Sequence, residues 1–207
     1  MPRTSDPEKF QRLLGVTRQL LIRCGLSGAS IDRICREAGI SKGGFFHHFR
    51  TKEEAVSTAA RHFVAELGRQ FKNLPQARGN HHAGQGVLDY IDFTISACER
   101  SILSSGCLIG SLSTNLPEED AAGIRRVCRE AFNSWIASFE NLLQAAQRAG
   151  LLPVRLDTQT LASQFVALVE GSLLLRNALG TDVLQRNLRG FREMLAQLMD
   201  ARRKTRD

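Results

Sequence analysis

Lys42, His47, His48, Arg50 and Lys52 crowd into the stretch SKGGFFHHFRTK, residues 41–52. Cations and imidazoles interleaved with aromatic residues suit a polyanionic partner, since basic groups can neutralise phosphates while neighbouring side chains address bases. Two adjacent glycines, Gly43 and Gly44, interrupt the same stretch. Each costs a helix interior roughly 0.5–1 kcal/mol relative to alanine. That cost is offset where a backbone must come close to another surface; otherwise the pair simply loosens a turn.

A second reactive group is Cys107, in SSGCLIGSLS. A thiol near a helix start can have its pKa lowered and become a nucleophile, open to oxidants and electrophiles. The favoured reading is the plainer one, a small buried hydrophobe. The five cysteines, at 24, 35, 98, 107 and 128, contain no C-x-x-C pair. That spacing predicts free thiols, with no disulfide framework and no zinc site. The chain also lacks a nucleophile elbow and a phosphate-binding loop, so the expectation is a protein that is not an enzyme and needs no cofactor or metal.

Charge locates the polyanion partner. Of the net charge of +7, residues 1–52 carry ten Lys/Arg against four acids, whereas residues 53–200 carry fourteen against sixteen. The excess therefore sits in the first quarter of the chain. The opening MPRTSDPEKF has no apolar h-region, and the most apolar run, FVALVEGSLLL, is interrupted by Glu170 and too short to span a bilayer. A cytoplasmic protein with no membrane partner is expected.

The elements that must position these residues read as helices throughout, an all-α fold. An apolar stripe at Leu13, Leu14, Thr17, Leu20, Leu21 and Cys24 predicts a first helix from about Pro7 that stops at Gly25. Ser30 caps a second helix that buries Ile31, Ile34, Cys35 and Ala38 and ends at Gly39. Ser41 caps a third, anchored by Phe45, Phe46 and Phe49. Two short helices joined by a tight glycine turn are a helix-turn-helix. Thr51 starts a fourth helix with Glu53 and Glu54 at its positive end. The expected organisation is a DNA-binding domain over 1–52 with a connecting helix at about 52–72, a loop at 74–86, and a larger helical domain over 87–207. Helices in that larger domain are expected at about 87–103, 118–149, 158–178 and 182–203. In the last, Leu184, Leu188, Phe191, Leu195 and Leu198 make a narrow seam suited to helix-against-helix packing.

The segment GASIDRICREAGISKGGFFHHFRTKEEAV, residues 28–56, resembles the helix-turn-helix of the TetR family of transcriptional repressors. The resemblance implies that Ser30 and Ser41 cap their helices and donate to phosphates, that Lys42, Gly43 and Gly44 meet base edges, and that His47 and His48 form the family's aromatic–histidine pair. It also implies a phosphate contact from Lys52, and contacts to groove or backbone from Asp32 and Arg33. Phe46 stands where family members commonly carry Tyr, so a hydroxyl that could reach a phosphate is missing. Base reading then rests on Lys42, His47 and Arg33, together with DNA shape.

The resemblance further implies a homodimer formed by the last two helices, here through the 184–198 seam, on a pseudopalindromic duplex DNA operator. It implies a cavity for an unidentified small-molecule or electrophile effector, with Phe93, Ile95, Cys98, Cys107, Trp135, Phe139, Phe165 and Glu170 as candidate lining. The competing reading is a helical interaction protein whose basic end meets an acidic surface, with no preference among DNA sequences.

Overall fold

A computed structural model of the protein describes residues 6–72, 83–100, 103–114, 116 and 122–204. The described residues form nine helices and no strand. No helix among them is long and apolar enough to cross a membrane. They divide into two compact units, one drawing on Met1–Leu67 and Ser105–Ala131, the other on Gly68–Ser104 and Phe132–Asp207.

In the first unit, α1 (Pro7–Gly28) starts on Asp6, whose carboxylate accepts from the Glu8 and Lys9 amides. Its regular path breaks at Gly25, where φ is +67°, as the sequence expected. The short helices α2 (Ile31–Ala38) and α3 (Lys42–His48) are capped by Ser30 and Ser41, which accept from the Arg33 and Gly44 amides at 3.3 and 3.1 Å. Gly39, at φ +65°, closes α2. Its amide and that of Ile40 return to the carbonyls of Arg36 and Cys35, satisfying the helix end within three residues of the next helix. Ile34, Phe45 and Phe49 bury the inner faces of this pair together with Leu20 and Leu21 of α1. α4 (Lys52–Lys72) begins with a reciprocal cap: Thr51 Oγ1 accepts from the Glu54 amide while Glu54 accepts from the Arg50 amide.

This unit also takes in α6 (Leu108–Thr114) and the start of α7 (Ala122–Arg148). The sequence assigned that region to the larger domain and read a helix start near Cys107 without giving α6 bounds. In the first unit Leu108, Ile109 and Leu112 are buried, α6 packs on α1, and Glu53 of α4 accepts from the Gly123 amide at 3.1 Å.

The second unit is built from α5 (Ala83–Arg100), the remainder of α7, α8 (Thr158–Leu179) and α9 (Thr181–Lys204). Most of the loop expected at 74–86 falls outside the described residues; its last four residues already belong to α5. A run of rings forms the core. Tyr90 stacks on Phe139 at 5.2 Å, Phe139 meets Phe165 at 4.4 Å, and Phe165 meets Phe191 at 5.3 Å.

That core covers most of the seam read on α9 within the single chain. Leu184, Leu188 and Leu195 are buried inside a single chain, Phe191 turns inward to Phe165, and Leu198 is half-buried. The four–three spacing records α9 packing against α5 and α8. On the last two helices the large exposed apolar side chains among the described residues are Leu174 (70% exposed), Leu175 and Leu179 (66%) on α8 and Met194 (50%) on α9.

Candidate nucleic-acid interface

α3 has two faces. Phe45 and Phe49 point into the unit, with Gly44 and His48 at the margin, while Lys42, Gly43, Phe46 and His47 all face solvent. Positions 42, 43, 46 and 47 fall on one arc of a helix. The two glycines separate on this geometry. A Cβ added at Gly44 would lie 2.7 Å from Ile40 Cγ2, so the chain's own turn requires that glycine. At Gly43 the nearest atom would be Ser41 Oγ at 3.9 Å. Nothing among the described residues demands a glycine there.

Several residues expected to meet DNA are held by the chain itself. Arg33 directs its Nε to Glu37 at 3.0 Å and its Nη1 to Cys24 Sγ and the Gly28 carbonyl at 3.5 Å. Arg23 grips the same carboxylate at 2.9 and 3.1 Å. The guanidinium of Arg33 thus clamps α2 to the end of α1 instead of standing free to read a base. The Arg33 and Arg23 hydrogen bonds hold the Glu37 carboxyl below its usual range. Lys52 donates to the Leu26 carbonyl at 2.6 Å, tying α4 to the chain beyond the Gly25 break, and partial burial lowers its pKa. An ammonium has two further donors, so a phosphate contact remains compatible with that bond. His48 packs on Phe10 at 5.6 Å, and burial pushes the pKa of its imidazole below the ordinary value. His47 is the member of the pair that faces out. Ser30 and Ser41 are exposed with their oxygens used as caps, and each hydroxyl retains its proton to donate.

Asp32 pairs with Lys42 at 2.6 Å, both side chains exposed. The carboxylate sits on the outer surface and raises the Lys42 pKa chiefly through that hydrogen bond. An exposed, solvent-screened pair of this kind adds little to stability. Asp32→Asn is therefore expected to leave the melting temperature almost unchanged. It should free Lys42, tighten DNA binding, and steepen the dependence of log K on log salt by about one unit. An anisotropy titration at several salt concentrations checks this; an unaltered slope means Lys42 meets no phosphate.

The residues expected around an effector divide between the two units. Ile95, Cys98, Phe139 and Phe165 are buried, and Phe93, Trp135 and Glu170 half-buried, in the second unit. Burial raises the Cys98 thiol to about 12 and pushes the Tyr90 phenol up, the latter opposed by a hydrogen bond with Trp135. Cys107 belongs to the first unit. It is buried at the start of α6, accepts weakly from the Gly110 amide at 3.5 Å, and lies close enough to Arg18 for their charges to interact. Among the described residues no group of three or more His, Cys, Asp or Glu is placed to hold a metal.

Contacts that escaped sequence reasoning differ in how local their signal is. The Arg33–Glu37 pair was legible in its i, i+4 spacing. The bond from Glu53 to the Gly123 amide joins residues seventy apart and had no local signal.

A capped pair of short helices, a Schellman turn between them, and an outer face of lysine, glycine, phenylalanine and histidine define a helix-turn-helix DNA-binding regulator. The family model for bacterial regulatory proteins of the tetR family matches residues 13–57, and that for the tetracyclin repressor-like C-terminal domain matches 85–201. The chain belongs to the TetR family of transcriptional regulators. It is 25% identical over 171 residues to the HTH-type transcriptional repressor DhaR of Mycobacterium sp. strain GP1, spanning 79% of this chain and 80% of DhaR. To the HTH-type transcriptional repressor NemR of Escherichia coli K12 it is 29% identical over 118 residues, spanning 56% and 58% of the two chains. A TetR transcriptional regulator from Chloroflexus aurantiacus has the same fold, with a TM-score of 0.79 at 22% identity over 92% of this chain and 96% of that one. The chain is accordingly a DNA-binding transcriptional regulator of that family.

Proposed function

We propose that the protein binds a two-fold-symmetric operator as a homodimer, with α3 of each copy in a major groove, and that an effector bound to the C-terminal module releases it. The observation that carries this reading is the outer face of α3: Lys42, Gly43, Phe46 and His47 are turned to solvent, and the chain's own packing gives no reason for Gly43. Ser30, Ser41 and Lys52 supply phosphate contacts around that face. The exposed Leu174, Leu175, Leu179 and Met194 support a dimer through α8 and α9, on a face other than the α9 seam.

Release follows from linkage: an effector that favours the conformation unable to span the operator must weaken DNA binding by the same factor as DNA weakens its own. A small molecule in the ring-lined second unit is the first reading of that effector. The capped position of Cys107 beside Arg18 favours an electrophile as the second, because a modified thiol there could no longer fit under α1.

Selection from a random duplex pool tests the DNA reading. The expected product is a pseudopalindrome with half-sites about 34–36 Å apart, and affinity that falls steeply with salt. Repeating the titration on alkylated wild type and on alkylated Cys107→Ser separates the two effector readings. A pool that yields no preferred sequence returns the competing reading, a helical interaction protein.

A further inference from the structure

Phe46 is unusual among the exposed residues of α3. It is apolar and 52% of its surface is in water, between Lys42 and His47 on the same face. Its ring is also held in place. It meets the fully buried Phe45 edge-on, at 5.4 Å and 88°, so the outer ring rests on a fixed support. On its other flank Gly43 contributes no side chain, leaving the ring open to an approaching surface. The exposed basic residues around it, Arg50 and the Asp32-paired Lys42, suit an anionic partner.

A phenyl ring has no hydroxyl to give to a phosphate. Within a major groove, the apolar group that bases offer is the C5 methyl of thymine. We propose that Phe46 is a specificity-determining residue that reads one thymine in each half-site through its 5-methyl group. The proposal rests on the reading that α3 enters the major groove.

The test uses the full-length protein and the duplex it enriches from a random pool. Each thymine is replaced singly by deoxyuridine, which removes only the methyl group, and affinity is measured by anisotropy. One thymine per half-site is expected to show a loss of about fourfold, the scale of one buried methyl group. In Phe46→Ala the thymine and uracil duplexes should bind alike, both more weakly than the wild type binds thymine. Phe46→Tyr keeps the ring and should keep the preference. Because Phe46 is exposed, both variants should melt with the wild type and retain salt-dependent binding to random DNA. The proposal is overturned if no thymine shows a methyl effect, or if the effect persists at full size in Phe46→Ala. A pool with no enriched sequence overturns the groove reading itself, and so is distinguishable from failure at Phe46 alone.

Discussion

Gly43→Leu is expected to melt at or above the wild-type temperature and yet to lose selective DNA binding by at least about tenfold. The position is exposed, a Cβ there meets nothing closer than 3.9 Å, and leucine exceeds glycine in helix propensity by up to about 1 kcal/mol. Stability therefore has no reason to fall. On the DNA side, a four-carbon side chain lifts the α3 face away from the bases. Losing even one good base contact, worth about 1–3 kcal/mol, gives the stated factor. Gly44→Leu should behave differently. Its Cβ starts 2.7 Å from Ile40 Cγ2, and overpacking of this kind costs about 1–3 kcal/mol, so the melting temperature drops along with DNA binding. Thermal melts by circular dichroism and anisotropy on the selected operator distinguish the two variants. If Gly43→Leu binds like the wild type, α3 does not approach DNA along this edge.

The contrast between these glycines marks where sequence reasoning stops. A Gly–Gly pair in a helix signals that something comes close, but the identity of that neighbour is tertiary information. For Gly44 it is Ile40, only four residues away, yet brought into contact by the turn at Gly39. Signals contained in one turn of chain were legible: the Ser30 and Ser41 caps, the left-handed Gly39, and the break of α1 at Gly25. Long side chains were not. Lys52 reaches back twenty-six residues to the Leu26 carbonyl, and Arg33 turns toward α1, because each finds an acceptor that the fold places there. Between α7 and α8, Gln147 donates to the carbonyls of Pro153, Val154 and Leu156 at 2.8–3.1 Å, a tie invisible in a polar loop sequence.

Replacing Leu174 and Leu179 together by glutamate is expected to yield a folded monomer that binds the operator 10²–10⁴-fold more weakly. Both leucines are exposed, at 70% and 66%, so the charges enter no core and the single chain should keep most of its stability. Across a dimer face, however, four carboxylates would be desolvated close together, a cost no such interface repays. Loss of affinity follows because two linked heads bind a symmetric site with a high effective concentration that one head lacks. Leu188→Ala supplies the opposing control. Leu188 is fully enclosed within one chain, so truncation should cost about 2–5 kcal/mol and lower the melting temperature while the protein remains dimeric. Analytical ultracentrifugation with thermal melts reads both outcomes. A dimeric Leu174→Glu/Leu179→Glu variant would remove the exposed α8 face from the interface, and dissociation of Leu188→Ala without loss of stability would restore the α9 seam to it. The underlying reason is geometric. A heptad-like stripe reports only that a helix face is covered along its length, and α5 and α8 of the same chain cover that stripe before a second copy can.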